Sequence, residues 1–179
     1  MITKTLLTYS EYQKLPETDP YEHEMIDGEE FVSPSPSFWH QRLMIRFAEL
    51  LREFLKGKHL GVVTGPVDIY YAEQSYVSPD LTFVTAEQAG QLRNAQEIRI
   101  PPPLVVEVLS KSSIKWDRED KRGFYKRFGV LEYWIIDPFD QTIEVIDLTR
   151  DELSASDPAM SKVLDGFSVR WADLFAPED

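Results

Sequence analysis

Residues 104–110 read "LVVEVLS", five apolar residues around one carboxylate, closed by a serine. Side chains alternate along a strand, so Leu104, Val106 and Val108 share one face and Val105, Glu107 and Leu109 the other. Both faces are otherwise apolar, as in a central strand covered on both sides. An ionised carboxylate buried there is costly unless a cation or hydrogen-bond donors meet it. The stretch therefore sets two expectations: a layered α/β fold around this strand, and a positive group brought to Glu107 by another segment.

Downstream, "DREDKRGFYKRF" (117–128) predicts a helix, with Gly129 placed to stop it. Lys121, Phe124, Tyr125 and Phe128 fall at i, i+3, i+4 and i+7, which is one helical face, and Asp117 lies one turn earlier on the same side. A lysine leading an aromatic stripe is the candidate cation for Glu107; a lysine snorkelling over its neighbours is the alternative. Upstream, Asp80 follows Pro79 at the head of "PDLTFV" (79–84). A bend there can aim its carboxylate at a neighbouring strand's end, and a turn-associated aspartate is the alternative.

The remaining elements follow from local chemistry. Thr8 three residues before Glu11 is a capping-box pattern for a short helix ended by Pro16. Asp27-Gly28 suits a type I′ turn between two strands of a hairpin, after which "SPSPS" (33–37) reads as a connector. From His40 to about Lys56, Leu43, Phe47, Leu50, Leu51, Phe54 and Leu55 recur at helical spacing and Gly57 ends the run. "LGVVTGPVDIYY" gives two strands around Gly65-Pro66, residues 86–98 a polar helix or loop, and "EYWIID" and "TIEVID" two strands joined by "PFDQ". The chain to residue 160 is acidic and loop-like, and "VLDGFSVRWADLF" adds a short strand and a turn of helix.

The expected architecture is a mixed central sheet of about four or five strands flanked by helices, extended by an N-terminal hairpin and by C-terminal strands. The 179 residues suit one domain, with a core over about 10–150 and an acidic extension over 151–179. No apolar run is long enough for a membrane helix, and the first residues lack a signal peptide's apolar core. The sequence has no cysteine, which excludes disulfides, thiolate zinc sites and cysteine nucleophiles, and fits the cytoplasm. A net charge of −12 argues against loose, non-specific nucleic-acid binding. Residues 111–127 nevertheless carry seven basic and three acidic residues. That run is either a solvated helix face or a patch facing an anion.

Pro79-Asp80, then Glu107, then a lysine resembles the PD-(D/E)XK nuclease superfamily. More closely, "YEHEMIDGEEF", "HQRL", "SPDLTFV", "PPLVVEVLSKSS" and "DREDKRGFYKRFGVLEYWIIDP" together resemble the bacterial Uma-two family of restriction-endonuclease-like proteins, over about residues 10–150. The usual lysine two residues after the glutamate is replaced by Leu109; the resemblance moves it to Lys121, with Lys111 and Lys115 as fallbacks. It implies a restriction-endonuclease-like fold. It also implies a Mg²⁺ ion, for which Mn²⁺ can substitute, held by Asp80, Glu107 and the Val108 carbonyl. Glu24 and His40 fall on family motifs as auxiliary residues.

The expectation is a Mg²⁺-dependent endonuclease acting on DNA, with duplex favoured. Asp80 and Glu107 would bind the metal, Lys121 would orient or deprotonate the attacking water, and the basic run would grip the phosphate backbone. The aromatic content suits a homodimer; no membrane and no organic cofactor are expected. Two alternatives stay open: a nuclease-derived nucleic-acid-binding or regulatory module without turnover, and a structural dimer with a buried Glu107–Lys121 pair.

Overall fold

In the computed structural model, which describes residues 8–15 and 21–176, the "LVVEVLS" stretch forms strand β7 (Leu104–Val108), buried along its whole length. It lies inside a six-stranded sheet of order β10-β9-β8-β7-β6-β3. The other members are β3 (Gly61–Thr64), β6 (Leu81–Thr85), β8 (Glu132–Asp137), β9 (Thr142–Asp147) and β10 (Glu152–Ser154). β7 pairs in parallel with β8 and antiparallel with β6, so the sheet is mixed.

The two faces of β7 meet different layers. Leu104, Val106 and Val108 pack with Leu43, Phe47 and Leu51 of helix α2 (Phe38–Leu55). Each such buried side chain contributes about 1.5–3 kcal/mol. Val105 and Leu109 pack instead with Trp116, Phe124 and Tyr125. Those residues lie on a π-helix (Trp116–Lys121) continuous with α4 (Arg122–Phe128), which ends at Gly129 in the left-handed conformation (φ 95°). The expected α-helix over 117–128 is therefore π in its first half. Its wider turn directs Trp116, Asp117 and Lys121 all inward, and the Tyr133 hydroxyl donates to the Asp117 carbonyl at 3.1 Å.

The N-terminal hairpin is present: β1 (Tyr21–Ile26) and β2 (Glu29–Pro34) flank Asp27 and Gly28, both at positive φ as a type I′ turn requires. It is half of a four-stranded sheet, β2-β1-β5-β4, completed by β4 (Ile69–Ala72) and β5 (Ser75–Val77). The "SPSPS" connector begins two residues later than expected, because β2 is an edge strand that tolerates Pro34 at its end. The Thr8/Glu11 capping box starts α1 (Tyr9–Tyr12), while the expected stop at Pro16 lies outside the described residues, as do residues 1–7 and 177–179. Thr85 caps α3 (Ala86–Gln91).

The acidic segment after residue 150 is not loop throughout. β10 extends the main sheet, raising it to six strands, and β11 (Ala159–Met160) pairs with β12 (Ser168–Val169) ahead of α5 (Trp171–Phe175). Leu164, Phe167 and Leu174 join the α2 side of the core. Among the described residues no helix is long and apolar enough to cross a membrane.

Candidate functional site

Glu107 projects from β7 on the face shared with Val105 and Leu109, and is 3% exposed. The expected cation meets it: the Lys121 Nζ donates to Glu107 Oε1 at 2.8 Å. The Tyr125 hydroxyl, one helical turn further on, donates to the same oxygen at 2.6 Å. Lys111 and Lys115 lie exposed and do not take that place.

Lys121 is shared. Its ammonium lies 2.9 Å from Glu24 Oε1 and 3.2 Å from Asp117 Oδ1. Glu24 comes from β1 and also accepts from the Trp116 indole and the Ser78 main-chain N–H, each at 2.9 Å. Asp80, in the bend entering β6, is bound to β7 from both directions. Its own N–H donates to Glu107 Oε2 at 3.3 Å, and its Oδ2 accepts from the Val108 N–H at 2.7 Å. His40, in the first turn of α2, places Nε2 3.2 Å from the same Asp80 oxygen. Sequence reasoning therefore named five side chains, Asp80, Glu107, Lys121, Glu24 and His40, that the fold gathers in one place.

These groups form the floor and wall of a cleft of about 440 Å³, also lined by Trp39, Phe139, Ser110 and Lys111. Glu22 lines it too and was missed. It lies two residues before Glu24, hence on the same face of β1; the "EHE" alternation was its only sequence signal. Tyr125 was read as part of an aromatic stripe and Trp116 was not singled out, and nothing local reveals that their polar tips reach the carboxylates.

Protonation follows from crowding. Burial pushes the Glu107 carboxyl well above its ordinary range, despite the nearby lysine. Burial raises Glu24 likewise. Burial would discharge Lys121, but Glu107, Glu24 and Asp117 outweigh it and hold the ammonium well above the usual lysine range. At Glu107 and Glu24 burial outweighs the shared ammonium, and at Lys121 the surrounding carboxylates outweigh burial. At the mouth, partial desolvation by the cleft walls and then the charge of Asp80 raise Glu22. Burial opposes charge on His40, yet the hydrogen bond and charge of Asp80 raise it overall.

Most of the basic run is committed elsewhere. Arg118 bonds Asp137 and Glu144, Arg122 and Lys126 both bond Asp151, and Arg127 bonds Asp27. Among the described residues, Lys111 and Lys115 are the members of that run without an ion pair.

A mixed sheet with one acid on its central strand, a second at the head of the adjoining strand and a lysine from the following helix defines a protein of the restriction-endonuclease-like class. The chain belongs to the Uma2 family, described as putative restriction endonucleases, whose profile matches residues 9–172. It is similar to two uncharacterized proteins of Synechocystis sp. One, sll1609, is 32% identical over 144 residues, covering 79% of this chain and 81% of that protein. The other, slr1290, is 28% identical over 131 residues, covering 73% and 67%. The fold is also that of a crystal structure from Anabaena variabilis, a putative nuclease belonging to DUF820. The TM-score is 0.80 at 20% identity, over 95% of this chain and 98% of that one.

Proposed function

We propose that the chain is a divalent-metal-dependent phosphodiester hydrolase acting on DNA. The observation that carries this reading is the meeting of Glu107, Asp80 and Lys121 from three separate elements at the bottom of one cleft. An excess of buried acids over cations is costly to folding and suits a site for positive charge.

The donor chemistry fits Mg²⁺, which prefers carboxylate and carbonyl oxygens. Asp80, Glu107 and the Val108 carbonyl would hold it, where it would neutralise charge developing on the phosphate. Among the described residues no group of three or more His, Cys, Asp or Glu side chains is already arranged around a metal position. The protein's own side chains already engage both acids, with Lys121 on Glu107 and His40 on Asp80.

Lys121 acts as a fixed positive charge rather than a base, since its three carboxylate neighbours keep it protonated. Its ammonium lies within 3.2 Å of three acids, Glu107, Glu24 and Asp117, and Asp117 Oδ1 is not hydrogen-bonded to it, so it turns to a phosphate oxygen by leaving Glu107 or Glu24. In the hydrolysis, the water oxygen bonds to phosphorus as the ester P–O bond breaks. A carboxylate of the cluster takes the water's proton, and solvent at the mouth supplies one to the leaving oxygen.

Incubating the chain with DNA and Mg²⁺ or Mn²⁺ should give cleavage that EDTA stops. Asp80→Ala and Glu107→Ala should abolish it with the far-UV spectrum unchanged. Cleavage undiminished in those variants, or absent from the parent with either metal, overturns the reading. A nuclease-derived module without turnover is the second reading, favoured by the engagement of Lys121 with Glu107 and Glu24. Metal binding without cleavage of any substrate would select it.

A further inference from the structure

We infer that the cleft takes an unpaired DNA strand, with bases stacked on Trp39 and Phe139, rather than the face of an intact duplex. The choice of nucleic acid as ligand rests on the hydrolase reading above; the preference for an unpaired strand rests on the shape, rim and charge of the cleft.

Depth is the first argument. Glu107 and Lys121 are 3% and 5% exposed, so a phosphodiester must descend into the cleft to reach them. Its volume of about 440 Å³ is that of a pocket enclosing one small organic group. A duplex is a stiff rod whose major groove alone is about 12 Å wide, and it would rest on the rim. A single strand, or one nucleotide swung out of a stack, can enter.

The rim is aromatic. Trp39, at the start of α2, and Phe139, in the β8–β9 turn, line the same opening from different elements and are 38% and 48% exposed. The Arg42 guanidinium lies 4.7 Å from the Trp39 ring centroid, fixing the ring from one side. Exposed rings beside a phosphate-sized floor provide base-stacking platforms, and stacking does not depend on base identity.

Charge points the same way. Duplex binding depends on several lysines or arginines neutralising phosphates. Here Arg118, Arg122, Lys126 and Arg127 are paired to acids and Lys121 is buried, leaving Lys111 on the cleft and Lys115 outside its lining. With a net charge of −12, the chain is poorly equipped to grip a duplex from outside. Above the acids of the floor the cleft is also lined by Ser37, whose hydroxyl oxygen accepts from the His40 N–H and whose hydrogen can donate to a phosphate oxygen without added charge.

The test is fluorescence anisotropy of the full chain with Ca²⁺ in place of Mg²⁺, so that the acid cluster keeps an oxygen-seeking dication. The probe is one labelled mixed-sequence oligonucleotide, presented as a single strand and as a perfect duplex. The single strand should bind about tenfold tighter. Trp39→Leu and Phe139→Leu, which keep apolar bulk but remove the π face, should each weaken single-strand binding by about tenfold. Duplex binding and the melting temperature should be unchanged. Equal or tighter duplex binding, binding of neither probe, or single-strand affinity unmoved in both variants would overturn the inference. Cleavage is assayed in parallel with Mg²⁺: a single-strand preference without cleavage sinks the hydrolase reading and leaves this one standing.

Discussion

Lys121 donates to Glu107 across 2.8 Å from a helix 14 residues further along the chain, and both side chains are buried. Yet the two are not a self-contained pair, because Glu24 and Asp117 claim the same ammonium. Removing the cation should therefore do more damage than breaking one bridge. Lys121→Met should cost about 3–5 kcal/mol in chemical denaturation. Adding Glu107→Leu should recover only part of that, since two acids remain buried without their cation. A double variant as stable as the parent would reduce the cluster to a simple ion pair.

A second buried acid makes a purely structural contribution. Glu132, at the start of β8 and 0% exposed, accepts from the Trp134 indole and the Ser161 hydroxyl, each at 2.7 Å, and from the main-chain N–H groups of Lys162 and Val163. It clamps the segment after residue 155 to the main sheet. Glu132→Ala strands several buried donors, each worth about 1–3 kcal/mol. Hydrogen exchange should then quicken over residues 156–170 before it does so in β7. Uniform exchange across the chain would contradict the clamp.

Asp68 offers a pH test away from the cleft. Burial raises its pKa above the ordinary aspartate value, although the Tyr9 hydroxyl donates to it at 3.1 Å. A carboxyl raised on folding favours the folded state below its unfolded pKa, and that benefit fades as pH rises through the folded value. Asp68→Asn should therefore raise the melting temperature at pH 7 relative to the parent, with the gain vanishing below about pH 4. A gain that persists in acid would point to another cause.

Gly61 permits the close approach of the edge strand β3 to β6. A Cβ at that position would lie 2.0 Å from the Val84 carbonyl oxygen and 2.8 Å from the Phe83 ring. Gly61→Ala should cost about 1–3 kcal/mol, as overpacking does, and should expose β3 to limited proteolysis. A variant with parental stability would mean that β3 can shift without loss.

The parts of the site legible in the sequence were those encoded by local period. Two-residue alternation in "LVVEVLS" placed Glu107 on a covered face, and helical spacing put Lys121 with Phe124 and Tyr125. The resemblance added Glu24 and His40. What stayed hidden depends on contacts between distant segments. The Tyr125 hydroxyl reaches Glu107 only because α4 packs across β7, and Trp116 reaches Glu24, 92 residues away, only because the small sheet docks there. β4 read as an ordinary strand, β5 (Ser75–Val77) was not read at all, and no periodicity says which sheet they join. The π geometry of residues 116–121 has no signature in residue type. The basic run read as either a solvated helix face or an anion-facing patch, and its partners Asp137, Glu144 and Asp151 lie outside it in sequence.

Crystals soaked in Mn²⁺ and measured for anomalous scattering would decide whether the acid cluster is a metal centre. The account expects one strong peak between the carboxylates of Asp80 and Glu107, within coordination reach of the Val108 carbonyl, with His40 displaced from Asp80. A cleft without an anomalous peak, in which Lys121 still bridges Glu107 and Glu24, would contradict it and leave the cluster as internal scaffolding.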